Sequence, residues 1–167
     1  RYFGKTGQMM TNIQVENKKI LSRNGTIGIY DRGEAAMRFI RGVRDFNLRE
    51  GADLKCVAFL IPEERGTLVE QMADSVFWLP QNSAYSVDRA IIDQMVDYGI
   101  EALWPGWGFA SENPLLPELL DEAGILFLGP PKEAIVTLGD KIASKITAEK
   151  AGIPVIPWAS LEGTQSL

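Results

Sequence analysis

From Thr26 onward, short apolar runs of strand character alternate with helix-spaced apolar patterns about every 25 residues, and this alternation constrains the fold more than any other feature of the chain. Parallel strands need long crossovers, most often helices, to return the chain to the sheet. Strands are predicted over Thr26–Tyr30, Leu54–Ile61, Val76–Leu79, Glu101–Trp104 and Ile125–Leu128. The second run is continuously apolar, as befits a strand covered on both faces. Between them, Asp31-Arg-Gly-Glu34 turns into a helix carrying Ala36, Phe39, Ile40 and Val43, and a shorter helix fits Thr67–Ala73. Val87, Ile91, Met95 and Tyr98 make a third amphipathic helix that stops at Gly99. Asn113-Pro114 reads as an N-cap with proline in the first helical position, opening a helix with Leu116, Leu119, Leu120 and Ala123 on one face. Gly129-Pro-Pro131 punctuates the end of the sheet. The expected architecture is α/β, an open, mostly parallel sheet with helices on both faces.

At 167 residues the chain suits one domain, burying about 70% of its unfolded surface if it folds alone. Residues 1–25 show no clear period and read as an amino-terminal extension, followed by the α/β domain over 26–138. A last helix opens at Gly139-Asp-Lys-Ile142, runs to about Lys150 and caps at Gly152; with the connection after it, it occupies 139–158. Residues 159–167 read as a linker or a truncated end. The chain lacks an initiating methionine and stops just after a new element begins, so the expectation is a processed or excised piece of a longer protein.

Composition removes whole classes of chemistry. With no histidine, Ser-His-Asp and Cys-His nucleophiles, HExxH zinc sites and imidazole bases are excluded. Cys56 is the sole cysteine and sits in an apolar run, so neither a disulfide framework nor a multi-cysteine zinc cluster can form within the chain. It is expected to be a buried, inert thiol in a reducing, cytoplasmic setting. A net charge of −5 from 17 basic and 22 acidic residues argues against a nucleic-acid backbone as partner. No apolar run approaches the ~18 residues of a membrane span, and Arg1-Tyr-Phe-Gly-Lys5 lacks the apolar core of a secretory signal.

Chemistry concentrates in Trp104-Pro-Gly-Trp-Gly-Phe-Ala-Ser-Glu-Asn-Pro114, where two tryptophans, two glycines and a carboxylate share one connection. Each aromatic left in a loop forgoes about 1.5–3 kcal/mol of burial. The loop follows a strand and precedes a helix, and ligands of open α/β sheets sit beyond the carboxyl ends of strands. A packing reading stands beside this one, with Trp104 and Trp107 plugging the sheet and Glu112 assisting the helix dipole. Gly106-Trp-Gly-Phe-Ala-Ser111 misses the dinucleotide fingerprint at its last position, and no acidic residue ends the next strand. Asp31 reads as an N-cap and Glu34 as a first-turn or capping-box carboxylate. Asp140 likewise reads as a cap, with Lys141 on the first turn; a lysine there opposes the helix dipole unless an anion such as phosphate is near.

Taken in order, Asp31-Arg-Gly-Glu34, the Trp104–Pro114 segment, Phe127-Leu-Gly-Pro-Pro131, Leu138-Gly-Asp-Lys-Ile142 and Ala151-Gly-Ile-Pro154 resemble the amino-terminal domain of biotin carboxylases, over residues 20 to 158. That resemblance implies a Rossmann-like, pre-ATP-grasp domain. The tryptophan in Pro-Gly-Trp-Gly and the run Leu116-Pro-Glu-Leu-Leu120 are similar to large acetyl-CoA or acyl-CoA carboxylases, the ligases of fatty acid biosynthesis. Tyr30-Asp31 departs from the Ala-Asn that is typical there.

By the resemblance, Lys141 reaches the ATP phosphates, while Trp107, Gly108 and Phe109 wall a biotin pocket. Arg38 and Arg41 lie at a possible dimer surface, solvated helix arginines being the alternative. The implied chemistry activates bicarbonate with Mg-ATP and transfers the carboxyl group to biotin. It needs two Mg2+-binding carboxylates, a glycine-rich lid and arginines, none recognisable here. Those parts are expected in ATP-grasp and biotin carrier domains of the same enzyme, so no catalytic or metal-binding residue is assigned and the chain alone is expected to be inactive. Another ATP-grasp ligase, of the carbamoyl-phosphate or purine-carboxylating type, is one alternative; a non-catalytic binding or regulatory module is the other.

Overall fold

A computed structural model of the chain describes residues 21–81 and 85–157. Most of the expected amino-terminal extension, residues 82–84 of the loop after Pro80, and the expected linker at 159–167 lie outside the described residues.

The sheet has five strands, β1 (Thr26–Ile29), β2 (Lys55–Leu60), β3 (Ser75–Trp78), β4 (Ala102–Trp104) and β5 (Leu126–Phe127), in the order β3-β2-β1-β4-β5. Every pairing is parallel. All five predicted strands are present; four are trimmed by one or two residues because the flanking positions turn toward helices, and β3 keeps its length but begins one residue earlier. β1 is central, pairing Ile27 with both Cys56 and Ala102.

Six α-helices accompany the sheet among the described residues: α1 (Gly33–Glu50), α2 (Leu68–Met72), α3 (Arg89–Asp97), α4 (Leu115–Ala123), α5 (Lys132–Gly139) and α6 (Lys141–Lys150). The strands divide their side chains by the period of two. Ile27, Ile29, Cys56, Ala58, Leu60 and Ala102 pack with α1 and α2 through Ala36, Ile40, Val43 and Val69. Tyr30, Val57, Phe59 and Leu103 pack with α3 and α4 through Ile91, Ile92, Met95, Leu116 and Leu120. The chain thus winds outward from β1 through β2 to β3 under one pair of helices, then crosses back to β4 and β5 under the other pair. Gly28 lets these layers meet: a Cβ there would stand 2.7 Å from Leu103 Cδ1 and 3.0 Å from Phe59 Cε2.

Local signals explain most boundaries. α1 stops at Gly51, in the left-handed region at φ +62. Asn113 Oδ1 accepts the Leu115 N–H at 3.0 Å ahead of α4, and Pro114 already has helical angles. Asp140 Oδ1 accepts the N–H groups of Ile142 and Ala143 at the start of α6. α5 escapes the sequence pattern because Ile135 is its one buried residue, which leaves no apolar stripe to read.

One local expectation is corrected. Arg32, not Asp31, holds the cap position of α1, and no side chain makes a capping bond there. Glu34 pairs instead with Arg38 one turn on, at 3.4 Å, on the exposed face. Cys56 is buried, and burial pushes its thiol up to about 12, consistent with an inert core residue. No described helix is long and apolar enough to cross a membrane.

Asp88 caps α3 by accepting the Ile91 N–H at 3.0 Å, and the Ser86 hydroxyl donates to its other oxygen at 2.8 Å. These bonds hold its carboxyl below the ordinary value of 3.8, the Ser86 bond contributing most. Asp88→Ala should cost about 1 kcal/mol near neutral pH. Because the folded-state pKa is depressed, this stabilisation is complete above the unfolded-state value and is lost as pH falls through the folded one. Denaturant melts of both proteins should therefore separate near neutral pH and converge in acid.

Candidate functional site at the β1/β4 switch

Strand order reverses between β1 and β4, and the crevice beyond their carboxyl ends is the place where sheets of this type take ligands. The two residues after β1, Tyr30 and Asp31, meet the loop after β4 there. The Tyr30 N–H donates to Trp104 O at 2.9 Å, so the pairing persists past both strand ends. Tyr30 is fully buried; its ring meets Phe59 and Tyr85 edge-on, and its hydroxyl donates to Ser86 O at 2.7 Å. Burial drives its phenol well above the usual range, so it acts as a fixed donor.

Asp31 is only 8% exposed. Its Oδ1 accepts the Arg32 N–H at 2.8 Å and its Oδ2 accepts the Trp107 N–H at 3.1 Å, across 76 residues of sequence. Gly106 lies against this carboxylate: a Cβ there would stand 1.8 Å from Oδ2, and its φ of +70 already favours glycine. Beyond it, Ser111 returns onto Gly108, its N–H and hydroxyl both donating to Gly108 O at 2.9 and 2.6 Å. The loop then closes in a 3-10 turn over Phe109–Glu112, with Ala110 buried beneath.

The tryptophans separate into two roles. Trp104 stacks on Phe39 of α1 at 4.4 Å with an interplanar angle of 13°, which is the packing reading. Trp107 and Phe109 are 71% and 93% exposed and plug nothing in this domain. Trp107 borders a groove of about 770 Å³ running along α1, lined also by Arg38, Phe39, Phe46 and Trp104. The structure therefore brings Arg38 and Trp107 to one surface, with Gly108 and Phe109 following in the same loop. Arg41 is exposed on α1, and Lys141 is exposed on the first turn of α6, which packs on α5.

Two features escaped the sequence reading. Glu64, 9% exposed, accepts the Ile61 N–H at 2.9 Å and the Tyr85 hydroxyl at 3.0 Å. Burial, then the Glu64 charge, raises the Tyr85 phenol. Both this pair and the Asp31–Trp107 bond join residues far apart in the chain, and no local pattern announces them.

Fold and site define a doubly wound α/β domain with an aromatic loop displayed at its switch point. Residues 24–135 match the biotin carboxylase N-terminal domain, and the chain belongs to that family. It is 39% identical over 142 residues to acetyl-CoA carboxylase 2 of Arabidopsis thaliana, covering 80% of this chain and 6% of that protein. It is 40% identical over 141 residues to acetyl-CoA carboxylase of Dictyostelium discoideum, covering 78% and 6%. The chain thus spans a small part of these relatives' length. Among solved structures, the biotin carboxylase domain of a thermophilic 2-oxoglutarate carboxylase bound to bicarbonate matches with a TM-score of 0.68 at 31% identity, over 79% of this chain and 29% of that one. The corresponding domain dimer from Hydrogenobacter thermophilus, in complex with MgADP, ADP and bicarbonate, matches with a TM-score of 0.69 at 31% identity, over 79% and 28%.

Gly106→Ala tests the junction directly. The clash with Asp31 and the positive φ together should cost about 1–3 kcal/mol or more, read as a lower thermal midpoint.

Proposed function

We propose that this chain is the amino-terminal part of the biotin carboxylase component of an acetyl-CoA or acyl-CoA carboxylase, which carboxylates biotin with ATP and bicarbonate. The observation that carries this reading is the exposed Trp107-Gly108-Phe109 segment at the switch-point crevice of a chain 39–40% identical to acetyl-CoA carboxylases. In such an enzyme residues 26–138 form the domain proper and 139–158 lead toward the ATP-grasp region.

The residues suit the groups they would meet. A Cβ on Gly108 would find only Asp31 Oδ1, at an ordinary 3.7 Å, so the fold itself does not demand glycine there. A flat ureido ring beside the Trp107 indole does, because a side chain would occupy its place. Lys141, exposed on the first turn of α6, offers ATP an ammonium group. When bound, ATP with Mg2+ supplies the phosphoryl group that activates bicarbonate. The metal-binding carboxylates, phosphate lid and biotin carrier belong to the ATP-grasp and carrier domains, so this chain alone does not turn over. Arg38, which lines the apolar groove on α1, and Arg41, exposed on the same helix, suit a homodimer surface. A cytoplasmic location fits the single buried free thiol.

Two substitutions in the full carboxylase test this. Lys141→Gln should raise the KM for ATP or lower the rate of biotin-dependent, bicarbonate-dependent ATP cleavage; both parameters unchanged would remove Lys141 from the site. Gly108→Ala should leave the folding stability within about 0.5 kcal/mol of the wild type while raising the KM for free biotin. An unaltered biotin KM would take the loop out of the pocket.

A further inference from the structure

We infer that Asp31 is a positioning residue for the Trp107 loop, holding the segment Trp107-Gly108-Phe109 in place from the opposite strand. Its consequence for biotin rests on the reading of that loop as the pocket wall.

An aspartate between a strand and a helix ordinarily caps the helix. Asp31 makes no such bond, and α1 starts with Arg32 at its cap. Its carboxylate turns across the end of the sheet to the Trp107 N–H, while its second oxygen is held by the neighbouring Arg32 N–H. One planar group with two acceptor oxygens thereby fixes the end of β1 and the loop after β4 to each other. The loop is shaped around it: Gly106 has no room for a side chain because of Asp31, and Gly108 lies in contact range of Oδ1.

The loop needs such a hold because its own side chains supply little. Trp107 and Phe109 are mostly exposed, so burial of their rings does not set the course of the backbone. Buried or stacked anchors stand on either side, Trp104 on Phe39 and Ala110 in the core. Between them the backbone is held by Asp31 at Trp107 and by Ser111 at Gly108. A hydrogen bond to an ionised, largely buried acceptor is stronger than one to a neutral acceptor. A carboxylate therefore places the loop more firmly than an amide or hydroxyl could.

The experiment compares Asp31→Ala and Asp31→Asn with wild type in the full carboxylase, by amide hydrogen exchange of the peptide spanning 104–112 and by steady-state kinetics with free biotin and with ATP. Exchange in Asp31→Ala should be about tenfold faster or more, with a raised KM for free biotin and an unchanged KM for ATP. Asp31→Asn, which keeps an acceptor for the Trp107 N–H, should fall between the two on both readouts. Unchanged exchange in Asp31→Ala overturns the inference, as does a KM for ATP that rises with the KM for biotin. Faster exchange with an unmoved biotin KM supports the hold of Asp31 on the loop and overturns the biotin-wall reading instead. If Asp31→Ala does not fold, Asp31→Asn decides alone: exchange indistinguishable from wild type overturns the inference.

Discussion

Everything in this domain is referred to β1, a strand of four residues hydrogen-bonded on both sides and covered on both faces. Its period of two sends Ile27 and Ile29 to the layer of α1 and α2, and Tyr30 just beyond it to the layer of α3 and α4. At Gly28 the second layer has no space for a side chain, so the helices of that face close onto the sheet through Leu103 and Phe59. Because the chain leaves β1 in one direction and returns beside it from the other, the end of β1 is also where the crevice opens.

That coincidence explains why the residues after β1 carry so many obligations. Tyr30 buries its ring in the core and gives its hydroxyl to the segment before α3. Asp31 gives both oxygens to backbone donors, one of them in the loop after β4. The loop can then expose Trp107 and Phe109, side chains that would otherwise be drawn into a core, because its course is set through the backbone. Trp104 at the strand end does the opposite and is spent on packing against Phe39.

The strands and the four helices that cover the sheet were legible in the sequence because each is written in a repeating apolar pattern, such as the continuous run of β2 and the three-to-four spacing of α3, which Gly99 follows. α5 was not, since a helix with Ile135 as its buried residue has no stripe. The Trp loop was legible as a place of interest from its composition, and its resemblance to biotin carboxylases agrees with the family match over 24–135. The assignment of Asp31 failed because the residue types that cap helices are also those that reach other backbone donors, and local sequence does not distinguish the two.

By itself, then, the sequence determined the layer architecture, the parallel sheet and the family, because these depend on periodicity and on short motifs that are complete within a few residues. It also showed that the segment from Trp104 to Pro114 was unusual. Only the tertiary structure decided which tryptophan packs and which is displayed, that Gly106 is required by the fold while Gly108 is not, and that Asp31 serves a loop 76 residues away. The physical reason is that these are questions of what stands next to what across the end of the sheet, and such neighbours come together only when the chain has wound out from β1 and back.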